Sequence, residues 1–443
     1  MSYEAAIEQL NAMVPELFTS FGQTRRKFSL DEIRVLLEPL GNPQRRFPSV
    51  LIAGTNGKGS TAATLASILT ASGLPTGLYT SPHLKRANER IRIDRVEIGD
   101  DAFAACYFRV HDAAQQLVLD GRLAQLPSFF EMLTAQAFVC FAEAPVDIAV
   151  LEVGMGGRLD ATNIVDPLLS IVTDISLDHM EWLGSTIAEI TREKAGILRP
   201  NGTLVTLPQH PDANQVLGEV AAALNVRGVS AVPYMPPLGA AEPYSIQALG
   251  ETIEVDSPLK GGHQHRNVAL AVAAAVELAE NHGFPVKPAA IAAGIRQTVW
   301  PARLERIRAR GLEWILDVAH NPAGAWALRA GLRDTLTGAP PNTLIFSCLR
   351  DKPIIEMAQI LFPVFEKVIF APIQSSRAAA LEDLLAAADT TGTPAVAVNS
   401  VPEALRLAAE GSEIAASGIV ISGSVYLVGE ARSLLLAGGG AQP

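Results

Sequence analysis

Short, continuously apolar runs alternate with amphipathic stretches through the first two-thirds of the chain. Residues 50–53, 78–80, 148–153, 169–173 and 204–207 have the length and β-branched or aliphatic character of strands. Their apolar residues do not alternate with polar ones, so both faces are expected to be buried. The connections between them are long enough for crossover helices, which predicts a mostly parallel sheet covered on both sides. Around 244–255 the pattern changes to alternation with a turn at Gly250, predicting a small antiparallel addition. A helical run over 267–280 follows. Pro301 then marks extended chain, and alternation restarts at 314–318. The domain boundary is placed here, giving domains 1–299 and 300–443. In the second block, strand candidates at 344–348, 368–371, 395–398 and 419–422 are separated by alanine- and leucine-rich helices. The fold class expected is therefore α/β: a first domain with a mostly parallel sheet, followed by a smaller Rossmann-like α/β domain. The tail 437–443 has nothing to bury and is expected to fray. No internal repeat is evident.

Length agrees with this division, because a single hydrophobic core stops growing near ~250–300 residues and the chain has 443. Apolar residues make up 49% and charged residues 18%, the balance of a globular protein. The apolar runs are strand-length, well short of the ~20 residues of a membrane helix. The opening Met1-Ser2-Tyr3-Glu4 carries an acid and does not read as a secretory signal, so a cytoplasmic location away from membranes is expected. Cys106, Cys140 and Cys348 are widely spaced among apolar neighbours and suit reduced core thiols. A net charge of −11 argues against nucleic acid but leaves room for a local basic pocket that takes an anionic small molecule.

The segment Gly54-Thr55-Asn56-Gly57-Lys58-Gly59-Ser60-Thr61 follows a strand run and opens a helical one. Backbone amides there can surround phosphate oxygens at the positive end of a helix, with Lys58 adding an ammonium and Ser60 and Thr61 hydroxyls. The spacing departs from the common G-x-x-x-x-G-K-[ST] form, since Gly59 stands where a hydroxyl residue normally follows the lysine. The first domain is therefore expected to be a P-loop nucleotide-binding domain; a ligand-free glycine-rich turn is the plain alternative.

Other polar residues stand where strand runs end. Ser81 offers a hydroxyl, Glu152 a carboxylate and His179 an imidazole, a set able to hold Mg²⁺. Each has an ordinary structural reading too, as a helix-end partner or a structural histidine. On chemistry alone Lys194 is an exposed cation or a partner of Glu193. Ser128-Phe129-Phe130-Glu131 opens an apolar helix whose aromatics could flank a flat heterocycle or simply pack in the core. Asp160 reads as a cap, Asn267 as a helix start, Arg303 as a surface ion pair and Asp317 as a loop cap.

The stretches G-T-N-G-K-G-S-T, Y-T-S-P-H-L, L-E-V-G-M-G-G-R-L-D-A-T-N-I-V and L-D-H-M-E-W-L-G closely resemble those of the bifunctional dihydrofolate synthase/folylpolyglutamate synthase family, within the muramyl ligase superfamily. The resemblance runs from about residue 25 to Glu430 and is densest in the first domain. It implies an ATP-dependent carboxylate–amine ligase that adds L-glutamate to dihydropteroate and to reduced folates through an acyl phosphate. It implies ATP at Asn56, Gly57, Lys58, Gly59, Ser60, Thr61, Asn267, Arg303 and Asp317, and Mg²⁺ at Ser81, Glu152 and His179. The acceptor is implied at Phe28, Ser29 and Leu30, at Ser128, Phe129, Phe130 and Glu131, and at Leu159, Asp160 and Ala161. Lys58, Lys194 and His179 are the catalytic candidates. Lys194 matches a lysine that is carbamylated in members of the family. Asp351-Lys352-Pro353 resembles a D-K-D segment whose last residue is lost here, and Gly423–Leu427 is a late match. A monomer is expected. A muramyl-type ligase acting on a nucleotide-linked sugar peptide, or a nucleotide-binding regulator without ligase chemistry, would share the phosphate loop but not the acceptor segments.

Overall fold

The computed structural model describes residues 2–13, 29–237, 242–335, 342–410 and 418–438. Two compact units divide the chain: Met1–Ile175 with Met180–Ser257 and Arg266–Thr298, and Ser176–His179 with Pro258–His265 and Val299–Pro443.

The first unit holds an eight-stranded sheet. Across it the strands run Val96–Glu97, Ile91–Ile93, Thr76–Tyr79, Ile148–Glu152, Ser49–Ala53, Leu169–Val172, Thr203–Thr206 and Arg227–Ser230. All neighbours pair parallel except at the edge formed by the first-named strands, where Ile91–Ile93 is antiparallel to both of its neighbours. Residues of Ser49–Ala53 and Ile148–Glu152 are buried throughout. Alternate side chains feed different cores: Leu51, Ala53 and Leu151 pack with Phe103, Phe138 and Phe141, whereas Val50, Ile52 and Val150 pack with Leu65, Ile68 and Val272. This double-sided burial is why the strand runs lack alternation.

The alternating stretch forms the expected hairpin, Tyr244–Ala248 against Glu251–Val255. Leu249 and Gly250 both have positive φ, as a two-residue turn matched to strand twist requires. The same device at Asp94-Arg95 closes the edge hairpin of the large sheet. The expected helix at 267–280 is the core of Gly262–His282.

In the second unit the sheet order is Glu305–Ala309, Leu312–Leu316, Ile419–Ser422, Thr343–Phe346, Lys367–Phe370 and Ala395–Ala397, parallel apart from the first pair. The strand expected at 314–318 starts earlier, at Leu312, because Arg310-Gly311 makes a tight turn. It ends before Asp317, whose carboxylate serves the following loop. Phe346, Phe362 and Phe370 stack edge-on or tilted in this core. All three cysteines are buried free thiols. The last helix, Val425–Gly438, reaches into the stretch expected to fray. No described helix is long and apolar enough to cross a membrane.

Candidate nucleotide and acceptor sites

The buried strand Ser49–Ala53 runs into Gly54, and the helix Lys58–Ala71 begins four residues later. The loop between them fits only glycine at two points. A Cβ on Gly54 would lie 1.8 Å from Thr173 Oγ1, and one on Gly57, at φ 89°, would lie 2.1 Å from Asn267 Oδ1. Asn267 thus sits directly against the loop, which no spacing in the sequence reveals. The amides of Thr55 and Asn56 donate to the Asp174 carbonyl at 2.9 and 3.2 Å. The expected ring of amides is therefore narrowed to the first helical turn, where Lys58, Gly59 and Ser60 have no carbonyl one turn earlier in the helix. Lys58 Nζ donates to the Thr55 carbonyl at 3.2 Å, curled over the loop. Ser60 and Thr61 are buried, and Thr61 Oγ1 has no hydrogen-bond partner.

Lys194 is not an exposed cation. It is 4% exposed, and its Nζ donates to the Gly54 carbonyl at 2.8 Å. Its helix, Ile187–Ala195, starts with a reciprocal Thr186–Glu189 cap. Near the helix end, Arg158 donates through its amide to the Glu193 carbonyl at 2.8 Å and through its guanidinium to the Glu193 carboxylate at 2.9 and 3.2 Å. A Cβ on Gly157 would lie 2.8 Å from the carbonyls of Glu193 and Lys194. The helix that brings Lys194 to the loop therefore also holds the turn carrying Leu159, Asp160 and Ala161.

Glu152, 4% exposed at the end of its strand, accepts the Ser81 amide at 3.1 Å. Nearby, burial and the Arg90 charge push the His83 imidazole down to about 3. At neutral pH the ring is uncharged, and Nδ1 accepts from Arg90 Nε at 2.9 Å. Among the described residues no cluster of His, Cys, Asp and Glu side chains is assembled to hold a metal. The expected set is of another kind. The Ser81 hydroxyl and Glu152 carboxylate are hard oxygen donors suited to Mg²⁺, and the buried, unpartnered Thr61 hydroxyl is a further oxygen in the same unit.

On the acceptor side, Ser128 caps the helix Phe129–Glu143, and the Glu131 carboxylate accepts the Ser128 amide at 2.8 Å and its hydroxyl at 2.7 Å. Glu131, implied at the acceptor, is thus also the second half of a capping box. Phe130 is packed between Tyr79, at 6.0 Å centroid to centroid, and Gly154, where a Cβ would meet its ring at 2.6 Å. Phe129 is half-buried, with the Arg90 guanidinium 5.3 Å over its ring. Leu30 packs on the same core as Phe129 and Phe130, and the Ser29 hydroxyl donates to Asp31 at 2.7 Å. Phe28 lies outside the described residues. Asp160 accepts the amides of Met155 at 2.9 Å and Thr162 at 3.0 Å and caps the turn Ala161–Ile164. Its burial raises the carboxyl pKa, an effect its hydrogen bonds partly offset.

In the second unit Asp317 organises its own surroundings, accepting the amides of Leu304 at 3.0 Å and Ala319 at 2.9 Å. Ala302 and Leu304 both have positive φ, and Arg303 between them donates to the Ala302 carbonyl at 3.0 Å. His320 Nδ1 lies 2.8 Å from the Val318 carbonyl. Beside His179, Asp178 is a buried anion that sequence reasoning missed. It accepts from Lys352 Nζ at 2.6 Å, Asn321 Nδ2 at 3.0 Å and the His179 amide at 2.9 Å. Burial alone would raise its pKa, but His179, Lys352 and His320 together hold it well below the usual carboxylate range. Lys352, whose segment breaks the D-K-D pattern at Pro353, thus keeps a buried ionic partner.

Comparison with known proteins gives two domain matches, a Mur ligase middle domain over residues 128–275 and a Mur ligase glutamate ligase domain over 302–425. A folylpolyglutamate synthase of Lacticaseibacillus casei is 35% identical over 417 residues, 92% of this chain and 94% of the relative. A dihydrofolate synthase/folylpolyglutamate synthase of Mycobacterium tuberculosis is 36% identical over 457 residues, 93% and 91% of the two chains. Among solved structures, the Mycobacterium tuberculosis folylpolyglutamate synthase complexed with ADP and AMPPCP superposes with a TM-score of 0.86 at 34% identity, covering 100% of both chains. The Escherichia coli FolC protein in complex with DHPP and ADP gives 0.83 at 28% identity, over 99% of this chain and 98% of the other.

Proposed function

The chain belongs to the dihydrofolate synthase/folylpolyglutamate synthase family, and on that premise we propose that it carries out both reactions of the family's name through an acyl phosphate. It is an ATP-dependent ligase that joins glutamate to folates. The first reaction converts dihydropteroate and L-glutamate to dihydrofolate; the second extends a reduced folate by further glutamates. Each forms ADP and phosphate. The muramyl-type reading shares the phosphate loop, but high identity along nearly the whole chain to folate-named relatives favours the folate acceptors.

In the proposed mechanism the amides of the first turn and the Lys58 ammonium bind the polyphosphate of ATP, while the acceptor lies along Phe129, Leu30 and the Asp160 turn. The acceptor carboxylate attacks the γ-phosphorus and ADP leaves. The neutral amine of glutamate then attacks the acyl carbon, phosphate departs, and the amine proton is lost to solvent as the amide forms. The chain's contribution is alignment and charge stabilisation. Lys58 follows the phosphoryl group as negative charge moves to the leaving oxygen. Ser81 and Glu152, with His179 as the resemblance implies, would hold Mg²⁺, which would supply positive charge between the phosphates and the incoming carboxylate. Lys194, buried against the Gly54 carbonyl, fixes the loop as an amine or, carbamylated, adds an anionic oxygen ligand in the same place. The resemblance also assigns Asn267, Arg303 and Asp317 to the nucleotide, and the proposed mechanism keeps them there. We place the enzyme in the cytoplasm as a monomer.

The observation that carries this reading is the convergence of Lys58, Lys194 and Asn267 on one strand-to-helix loop. It is tested by ADP release from purified protein with ATP and Mg²⁺, with glutamate present or omitted, using dihydropteroate and tetrahydrofolate in turn. Glutamate-dependent release with a product heavier by one glutamyl residue is expected for both. Release with neither acceptor would sink the assignment, and release with only one would remove the other activity.

A further inference from the structure

The phosphate loop rests on the segment Thr173-Asp174-Ile175, which continues the strand Leu169–Val172. Thr173 packs against Gly54, and the Asp174 carbonyl takes the amides of Thr55 and Asn56. That carbonyl can hold the loop only if its own peptide is fixed. The Asp174 carboxylate accepts from Arg266 Nε at 2.8 and 3.0 Å and from Nη2 at 2.6 Å, and the same Nη2 donates to the Pro208 carbonyl at 2.9 Å. The Gln209 side chain braces the segment from the other direction, accepting the Ile175 amide at 2.7 Å and donating to the Thr173 carbonyl at 3.4 Å. Arg266 precedes Asn267, whose side chain touches Gly57. One ion pair therefore fixes both the floor of the loop, through Asp174, and the side chain against its rim, through the helix Gly262–His282 that carries both Arg266 and Asn267.

We propose that Asp174 and Arg266 form a clamp that holds the phosphate loop in its nucleotide-binding shape, so that both are positioning residues for ATP. Neither is assigned a direct contact with nucleotide. Arg266 spends its fork on the carboxylate and on Pro208, a bidentate geometry that lysine cannot reproduce. With the clamp broken, the Asp174 carbonyl still exists but is no longer aimed. The loop amides then lose a fixed acceptor, and the nucleotide has to pay the ordering cost on binding. The effect falls mainly on nucleotide affinity, because the bonds of Asp174 and Arg266 go to the loop-side segment and to Pro208, not to the Ser128–Glu131 cap or the Arg158–Glu193 pair that hold the acceptor segments.

The proposal rests on reading residues 54–61 as the phosphate loop, and the experiment separates the two ideas. ADP binding by titration calorimetry is measured for the wild-type protein, R266A, R266K, D174N and the double variant D174N/R266A, with kcat and both KM values from the ligase assay and melting curves as a fold control. Failure of the wild-type protein to bind ADP would reject the loop assignment itself. With binding present, R266A and D174N are each expected to raise the ADP Kd and the ATP KM about tenfold, R266K less, and the double variant no further than either single, as residues acting as one unit behave. The acceptor KM should stay within about twofold, since independent sites do not couple. Unchanged ADP affinity in R266A and D174N overturns the clamp. So do multiplicative effects in the double variant, or equal losses for ATP and acceptor. If R266A melts out of range, D174N, which keeps the backbone carbonyl and side-chain shape, decides alone.

Discussion

At the scale of single residues, the two lysines of the phosphate loop are placed for different work. Lys194 is buried with its Nζ on the Gly54 carbonyl, whereas Lys58 is only half-buried and bends back to Thr55. A half-buried ammonium on a carbonyl is easily drawn to a better anion, as a phosphate-following group must be. Replacing Lys58 by alanine should therefore lower kcat by about 10² or more, the loss typical of a donor aimed at developing charge, while melting temperature changes little because no core contact is removed. A kcat within a few-fold of wild type would assign the charge stabilisation to another group. The residue scale is also where sequence reading falls shortest. Asp174 and Arg266 stand far apart in the chain, as do Asp178 and Lys352, and nothing in spacing or periodicity announces such pairs. Chemistry and spacing alone leave Lys194 an exposed cation; the resemblance singles it out, and the structure puts its Nζ on the Gly54 carbonyl.

At the scale of elements, the segments proposed for the acceptor are also local caps. Asp160 is the clearest case, a buried carboxylate that caps the turn Ala161–Ile164 and accepts the Met155 amide. Burial raises its pKa in the folded protein, and its hydrogen bonds only partly reverse this. The native state then holds a proton on this group more tightly than the unfolded chain does. Asp160 accordingly costs stability when ionised at neutral pH, and that cost disappears as pH falls toward and below the raised pKa. D160N cannot take up the proton. Comparing melting temperatures while pH is lowered from neutral toward the ordinary aspartate value of ~3.9, the wild-type protein should gain on D160N as pH falls; parallel curves would show that the carboxyl is not raised. Much at this scale was legible beforehand. The glycine-rich loop, the doubly buried strands and the hairpin at Gly250 follow directly from local pattern, and the S-x-x-E spacing at Ser128–Glu131 is a capping signal in the sequence itself. The edge strands Ile91–Ile93 and Val96–Glu97 were not, because so few residues carry no measurable period. The strand Glu305–Ala309 was missed for another reason: it is an edge strand with polar outward positions, visible only with its turn at Arg310-Gly311.

At the scale of the whole molecule, an acidic protein must bring together a polyphosphate, a pteroyl or folyl carboxylate and glutamate. The net charge of −11 gives no general attraction for any of them, so the neutralising charge has to be local. The cations fixed at the phosphate loop are few, and Lys194 is bound to a backbone carbonyl rather than turned outward. Arg266 is likewise occupied with Asp174 and Pro208. Lys58 and the amides of one helical turn can cradle a diphosphate; in the proposed mechanism the approach of a carboxylate to the γ-phosphoryl group calls for further positive charge, from Arg303 and a divalent ion. Ser81, Glu152 and His179 are proposed to hold that ion, which implies a division between binding and turnover. Excess chelator should abolish ligase turnover, with Mg²⁺ restoring it, whereas ADP should still bind to the chelated protein with affinity weakened by about tenfold, on the order of 1.4 kcal/mol. Calorimetry and the coupled assay, run on one preparation, check both halves. Full turnover in chelator would mean that the chain's own cations suffice. Complete loss of ADP binding would mean that the loop amides and Lys58 do not form a nucleotide site without the ion, and the weight placed on the strand-to-helix loop would shift to Ser81 and Glu152.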